Sequence, residues 1–462
     1  MRRFELVLAG VCAGAILWPA LFGARPRRGI VLALAIAALA VQVIVEGYRW
    51  QLAPVYLVAL GLGVGDLLSM ERVLPWWRRI SRPLLGLIGL GMLLLLPVML
   101  PVPVLPEPSG ALAVGTMSVE LTFPERLETY GPAPDSAPRR IMVQVWYPAV
   151  TGDGSGRVTW TPDLDLLGPA LSRRAGYPGF FLSHTRHTLA NAVEGAQPLS
   201  GRFPVVLYSH GWAEFRTLAL YQLESLASHG FIVVAADHSF AALASRRLDG
   251  EVITLDPDAL PAVETTDPAV FAEAAVDLVE TFTSDLTGIL DALDRGAAFA
   301  EIDGHVDSGR IGVFGHGAGG GAAVRLCLTD PRCRAGMGQD PWVEAVPDRI
   351  IAQPAQVPML FMRSDEARAT TNDGRLRGLA ERSQSTTFWI GIEGAASSDF
   401  LLSPLFSPIA HRLGLKGPIP AGSVVPIIDR FLVGFFDHTL LGTGPAAVET
   451  NPFSEVSLEV IG

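Results

Sequence analysis

The sequence predicts an α/β domain, a mostly parallel sheet covered by helices, preceded by an N-terminal bundle of about four transmembrane helices. Three observations carry this. Hydrophobic residues make up 49% of the 462-residue chain and charged residues 18%, against about 25% charged in ordinary soluble domains. The charge is unevenly divided: the first 105 residues hold ten arginines and four acids, although the whole chain has a formal net charge of -11. Beyond residue 140, short β-prone runs alternate with helical stretches, the pattern of strand–helix–strand units.

Four apolar stretches run over 4–24, 29–45, 52–70 and 84–105. Each approaches the ~20 residues that cross a ~30 Å hydrocarbon core. A signal-like first helix followed by three spans is the alternative. Trp18-Pro19 and the apolar run that starts straight after Arg28 favour four spans. Asp66, near the end of the third stretch, is close enough to the boundary to reach the interface. Arg25, Arg27, Arg28, Arg72, Arg78, Arg79 and Arg82 lie in the first and third loops, against Arg2, Arg3 and Arg49 on the opposite side. The excess of arginine on cytoplasmic loops then places the N-terminus and everything after residue 105 outside. The expectation is a multi-pass protein of the cell membrane with its large domain extracytoplasmic. Tyr48 and Trp50 are expected at the outer interface, and Trp76-Trp77 at the inner one. The proline-rich run PVPVLPEP, residues 101–108, reads as an extended linker. The expected division is 1–105 transmembrane helices, 106–140 linker and first strands, and 141–462 the α/β domain.

Within that domain, 141–147 (IMVQVWY) and 203–208 (FPVVLY) read as strands. Leu218, Leu220, Tyr221, Leu223 and Leu226 form a broad helical face over 216–229, and 231–236 (FIVVAA) is a buried strand. A long amphipathic helix covers 271–293. A strand at 310–314 is followed by a helix at 318–328, later strands at 358–362 and 386–392, and a closing helix at 427–441. Residues 151–200, rich in Gly, Pro and Ser, read as an irregular excursion over one end of the sheet.

Several function classes are excluded. An acidic chain is a poor nucleic-acid binder, and 49% hydrophobic residues exclude a disordered chain. Three cysteines cannot make a disulfide-rich scaffold or a four-cysteine zinc site. Cys327 and Cys333 are left as either a pair or two free thiols. His184 and His187 are too few for a zinc site, so no metal and no cofactor are expected. The glycine-rich segment at 315–321 lacks the Lys-Ser/Thr of a phosphate loop and the acid that a dinucleotide fingerprint places about 20 residues on.

That glycine-rich segment carries most of the functional information. In Arg310-Ile-Gly-Val-Phe-Gly315-His316-Gly317-Ala318-Gly319-Gly320 a strand runs through a sharp turn into a helix. This is the setting of the G-x-S-x-G nucleophile elbow, but its central residue is Gly317, which has no nucleophile. Upstream, Tyr208-Ser209-His210-Gly211-Trp212 follows a buried strand and fits half of an oxyanion hole. The backbone N–H groups of Trp212 and Ala318 would then face one oxygen. His316 is read as packing under the elbow, His210 as ordering the oxyanion loop, His411 as a loop histidine able to approach the site, and Ser209 as a weak candidate nucleophile. His229, His238 and His438 read as structural.

The stretches VQVWYPA (143–149), FPVVLYSHGW (203–212), FRTLALYQLESLASHGFIVVAADH (215–238), RIGVFGHGAGG (310–320), RCRAGMGQDPW (332–342) and FLVGFFDHTLLG (431–442) resemble bacterial membrane-anchored relatives of the platelet-activating factor acetylhydrolases. The resemblance spans about 101–445. It implies the α/β-hydrolase fold, a serine esterase or lipase activity, and a lipid or acyl-ester ligand. It also assigns the triad positions: nucleophile on Gly317, acid on Asp340, and base on Ser397 of Gly394-Ala-Ala-Ser397-Ser-Asp-Phe400. Nucleophile and base are thus both substituted. In a serine hydrolase either loss lowers kcat by about 10⁶. The expectation is therefore a membrane-anchored member of this carboxylic ester hydrolase family that is catalytically impaired or a pseudoenzyme. One alternative is an active ester hydrolase with a relocated nucleophile; another is a non-catalytic membrane assembly protein. Whether a protein partner exists is left open.

Overall fold

The computed structural model describes residues 1–22, 29–68, 76–152, 154, 156–296, 299–443 and 448–462. The chain divides into two compact units. The first comprises Met1–Val104 with Phe181–Thr188 and Phe406–Ile409; the second comprises Leu105–Phe180, Leu189–Leu405 and Ala410–Gly462.

The first unit is helical: α1 Arg3–Phe22, α2 Ile30–Glu46, α3 Ala53–Leu68 and α4 Trp76–Met99. Three segments, Arg3–Phe22, Trp50–Leu68 and Ile80–Met99, are long and apolar enough to cross a membrane. The fourth apolar helix, α2, has 17 residues, the lower edge of what spans. The apolar stretch expected to continue to 105 stops being helical at Met99, because Pro101 and Pro103 cannot donate to the helical ladder. Arg25, Arg27, Arg28 and Arg72 lie outside the described residues, as do the side chains of Trp76, Trp77, Arg78 and Arg79. Leu6, Ile44, Leu57, Leu85 and Met92 are exposed, as lipid-facing side chains would be. Several buried polar groups of the bundle are paired with one another. Arg49 reaches Glu5 at 2.6 Å and the Leu100 carbonyl at 2.6 Å, and Tyr56 Oη donates to Gln42 Oε1 at 2.7 Å.

The second unit is built on strands β1 Ala113–Leu127, β2 Pro138–Ala149, β3 Arg157–Thr159, β4 Leu189–Glu194, β5 Phe203–Ser209, β6 Ile232–Asp237, β7 Ala244–Arg246, β8 Val252–Thr254, β9 Val306–His316, β10 Cys333–Gln339, β11 Met359–Arg363, β12 Thr387–Ile392 and β13 Val456–Ile461. All but β7 and β8 form one sheet in the order β13-β12-β11-β10-β9-β5-β6-β2-β1-β4-β3. The run from β12 to β6 is parallel, and β13, β2 and β1 are joined antiparallel. The mostly parallel sheet is the one expected. The helices are α5 Leu164–Arg174, α6 Leu220–Ser228, α7 Pro268–Arg295, α8 Gly317–Thr329, α10 Thr371–Arg382 and α12 Ala421–Phe436, with single turns α9 Asp348–Ile351 and α11 Ser403–Phe406 between them.

Local chemistry explains the element ends. Asp267 caps α7 by accepting from Ala269 N–H at 2.8 Å, Pro268 occupies the first turn, and Gly296 closes the helix at positive φ. The helix expected over 216–229 starts only at Leu220, because the Arg216 N–H donates to the Asp237 carboxylate at 2.7 Å. The stretch 151–200 is not simply irregular: it holds α5 and adds β3 and β4 to the sheet edge. Cys327 and Cys333 form a disulfide that ties the end of α8 to the start of β10. The core lies between the sheet and helices α7, α8 and α10, around Val205, Leu207, Val313, Leu286, Ala322 and Phe361.

Candidate active site

In a parallel sheet, loops leaving the carboxyl ends of the strands converge on a crevice where the strand order reverses. Here that reversal lies between β5 and β9. Register does the rest: Ser209 pairs with Gly315, and Gln339 pairs with His316. The β5 end thus supplies Ser209-His210-Gly211-Trp212 and the β9 end supplies the elbow. Asp340 emerges one residue beyond β10, and Ser397 sits in a 3₁₀ turn after β12. Gly317, Asp340 and Ser397, although distant in sequence, come to one corner.

The elbow keeps its shape without its serine. His316 ends β9 and Gly317 begins α8, with φ of 52° at Gly317. Packing requires two of the neighbouring glycines. A Cβ at Gly319 would lie 2.1 Å from the Ser209 carbonyl oxygen, and one at Gly315 would lie 2.3 Å from the Gly319 carbonyl oxygen. Gly317 differs: a Cβ there would meet only Gly211 Cα, at 3.9 Å. Space for a side chain remains, although the positive φ would hold any residue other than glycine in a strained backbone conformation.

The oxyanion-type loop is held from two sides. His210 Nδ1 lies 2.7 Å from the Gly211 carbonyl, and its Nε2 accepts from His238 N–H at 3.1 Å. Gly211 N–H donates to Glu214 Oε2 at 2.7 Å. Trp212 and Ala318 flank this loop and the elbow.

Asp340 adopts a positive φ of 44°. Its carboxylate accepts from Ser364 N–H at 2.8 Å and from Ser364 Oγ at 2.6 Å. Burial raises its pKa above the ordinary aspartate value, against the bonds from Ser364 and the nearby His316 and Ser397.

The structure adds two residues whose part at this corner was not foreseen. His316 does not merely pack under the elbow. Its Nδ1 lies 2.7 Å from Glu214 Oε1, and its Nε2 lies 2.9 Å from Ser397 Oγ. Burial would lower the His316 pKa, but the Glu214 carboxylate and its hydrogen bond, with Asp340 behind them, raise it above the ordinary histidine value. Glu214 is held in turn below the ordinary glutamate value: burial opposes this, but His316 and the Gly211 N–H outweigh it. A carboxylate, an imidazole and a hydroxyl therefore stand in line. The sequence signal for Glu214 was thin: one acid beside Phe215 in an otherwise apolar run.

The turn that carries Ser397 is rigidly built. Asp399, fully buried, accepts from Ala396 N–H and Gly417 N–H, both at 2.8 Å, with Lys416 Nζ at 3.5 Å. Ser397 N–H donates to Glu366 at 3.1 Å. Below it, Gln339 donates to Gln222 at 2.7 Å, and Gln222 donates to the Phe400 carbonyl.

The other candidates lie elsewhere. His411 is exposed and faces the Lys416 carbonyl at 3.3 Å. His184 and His187 face the carbonyls of Phe181 and Tyr48. Among the described residues no three of His, Cys, Asp and Glu are grouped to hold a metal ion. Ser209 Oγ lies 2.8 Å from His238 Nε2, whose Nδ1 is 2.9 Å from Asp285 Oδ2, but all three are sealed in the core.

Comparison with known proteins agrees with this fold. The family model described as platelet-activating factor acetylhydrolase, isoform II, matches residues 105–248 and 275–442. The platelet-activating factor acetylhydrolase of Cavia porcellus is 22% identical over 262 residues, covering 52% of this chain and 58% of that protein. That of Canis lupus familiaris is 22% identical over 329 residues, covering 66% of this chain and 73% of that protein. That of Bos taurus is 23% identical, covering 52% and 57%. The chain thus spans less than two thirds of the Cavia porcellus and Bos taurus relatives. The structure of a ferulic acid esterase from Streptomyces cinnamoneus superposes with a TM-score of 0.63 at 22% identity, over 77% of this chain and 99% of that one. It shares the α/β fold.

Proposed function

The chain belongs to the platelet-activating factor acetylhydrolase isoform II family of esterases and lipases, and on that premise we propose that it is a membrane-anchored, extracytoplasmic member that takes a lipid or acyl ester and in which the family's acylation route is closed. One observation carries this reading. The strand–turn–helix elbow brings Gly317 and no hydroxyl to its centre, and the sequence resemblance assigns the family's base position to Ser397. Loss of one such group costs about 10⁶ in kcat, or about 8 kcal/mol of barrier.

The anchoring rests on three helices of spanning length. The extracytoplasmic placement rests on the arginine-rich first and third loops, and on the Cys327–Cys333 disulfide, a bond that persists in oxidising compartments. Protease added outside intact cells is expected to cut near Glu107; protection there would reverse the orientation.

The closed route is tested by rebuilding it. Gly317→Ser combined with Ser397→His would place a hydroxyl and an imidazole at the positions that the resemblance assigns to them; a Cβ at 317 meets only Gly211 Cα, at 3.9 Å, and the positive φ adds backbone strain. The double variant is expected to hydrolyse a short-chain p-nitrophenyl ester and to be acylated by a fluorophosphonate at position 317. A folded double variant with neither property would overturn the reading.

A further inference from the structure

The geometry points to a relocated catalytic relay, Ser397–His316–Glu214, in which Ser397 Oγ is the nucleophile, His316 the base and Glu214 the residue that orients it; this rests on the ester-ligand reading above. In the family arrangement the hydroxyl would rise from position 317 and the imidazole from position 397. Here the hydroxyl is on 397 and the imidazole on 316, beside the vacant elbow. The two groups have changed sides of one crevice.

Four observations support the exchange. First, the contacts have the spacing of a nucleophile–base–acid chain: Ser397 Oγ to His316 Nε2 is 2.9 Å, and His316 Nδ1 to Glu214 Oε1 is 2.7 Å. Glu214, which has no hydrogen to offer when ionised, fixes the tautomer. Nδ1 carries the proton and Nε2 keeps its lone pair toward the serine. Second, His316 Nδ1 lies against Glu214 and not Asp340, which accepts from Ser364 through both oxygens and interacts with Ser397 as well, so the orienting role falls to Glu214. Third, Ser397 is only half-buried, and the ground over Gly317 is open as far as Gly211 Cα. An ester can approach a hydroxyl at this corner. Fourth, the Ser397 turn is pinned by Asp399 and Glu366, which keeps the nucleophile in one place.

The chemistry balances. Ser397 Oγ attacks the ester carbonyl carbon while its proton passes to His316 Nε2, and the carbonyl electron pair moves onto oxygen. Collapse re-forms the carbonyl and breaks the carbon–oxygen bond to the alcohol, which leaves with the proton from His316. Water then attacks the acyl-Ser397 ester and gives its proton to His316. A carboxylic acid leaves and Ser397 regains its hydrogen. The sum is ester plus water to alcohol plus acid.

The test uses the full-length protein in detergent with a fluorophosphonate probe, followed by peptide mapping. The adduct is expected on Ser397. Ser397→Ala should abolish it, Glu214→Gln should slow it at least 100-fold, and Ser398→Ala should label like the natural protein. No adduct on the folded protein, an adduct on another residue, or undiminished labelling of Ser397→Ala would overturn the relay. A second measurement does not depend on ester chemistry. The thiol introduced by Ser397→Cys should be alkylated by iodoacetamide at pH 6.5, because a facing imidazolium favours thiolate. Adding His316→Gln should slow that alkylation at least tenfold, and an unchanged rate would remove His316 from the role of base. The outcomes separate the two readings. A silent natural protein with an active Gly317→Ser/Ser397→His variant defeats the relay alone. A labelled Ser397 with a silent double variant defeats the closed-route reading alone.

Discussion

Two serine–histidine–carboxylate chains occur within one α/β unit, and their bond lengths barely differ. Ser209–His238–Asp285 has contacts of 2.8 and 2.9 Å; Ser397–His316–Glu214 has contacts of 2.9 and 2.7 Å. Their surroundings have nothing in common. His238 lies flat on Phe282 with ring centroids 3.7 Å apart, and Asp285 is clasped by Arg139 through contacts of 2.7 and 2.6 Å. Burial drives the His238 pKa down to about 4 despite Asp285. That imidazole stays neutral, its carboxylate is already neutralised by arginine, and no substrate reaches it. His316 sits at the elbow and faces a half-buried hydroxyl, and among the described residues no arginine pairs with its Glu214 carboxylate. A triad-like distance list therefore does not identify a nucleophile; access and the charge balance of the acid do.

The comparison can be broken at either chain. The largest effect is expected from Glu214→Gln. If His316 depends on it for tautomer and orientation, ester turnover should fall by up to ~10⁴, as when a triad acid becomes its amide. The fall should appear in kcat per folded molecule, and a variant with full turnover would equate the two chains. Next comes Arg139→Met. Removing one partner of a buried ion pair costs about 3–5 kcal/mol, read as a lowered urea midpoint. Probe labelling per folded molecule should stay unchanged, because the sealed chain serves stability.

The third prediction is pH-dependent. A histidine whose folded pKa is depressed lets the unfolded chain bind the extra proton. The stability tied to His238 is therefore complete above pH ~6.5 and is lost as pH falls toward 4, a loss on the order of 3 kcal/mol. Urea midpoints from pH 7 to 4 should fall, and His238→Gln should flatten the curve. At the open chain the sign reverses. The His316 pKa is raised by Glu214, with Asp340 adding to it, so the stability from its protonated form is complete below pH ~6.5 and is lost as pH rises through the raised value. Fluorophosphonate labelling should instead climb with pH through that same titration, since only neutral His316 accepts the Ser397 proton. Labelling that is flat above pH 6.5 would contradict this. The smallest effect is expected from Cys327→Ser with Cys333→Ser. The disulfide closes a short loop, six residues apart in sequence, and its removal should lower stability by about 2 kcal/mol without affecting labelling.

Much of the fold was legible because it follows from patterns with a fixed period. The buried strands at 203–208 and 231–236, the long helix that became Pro268–Arg295 and the strand–elbow–helix at 310–328 were all readable from apolar spacing. Strand β10, Cys333-Arg-Ala-Gly-Met-Gly-Gln339, was not. It has no β-branched residue and two glycines, and only its neighbours β9 and β11 make it a strand. Strands β3, β4 and β13 were missed too: β3 and β13 are the two edge strands, and β4 is a short strand just inside the edge. The family resemblance singled out Gly317, Asp340 and Ser397, and in the fold His316, next to Gly317, meets Ser397.

The sequence alone determined the apolar N-terminal part, the parallel α/β sheet and the glycine at the centre of the strand–turn–helix elbow, because composition, periodicity and a missing side chain are properties of single residues and their near neighbours. Only the tertiary structure decided which histidine meets which serine. His316 meets Ser397 across 81 residues and Glu214 across 102, contacts created by strand register and by loops that leave the same sheet edge. It also decided that Ser209, with an equally good histidine, is sealed behind Phe282 and Arg139. Burial and charge neutralisation belong to the packed core as a whole, and no local stretch of sequence encodes them.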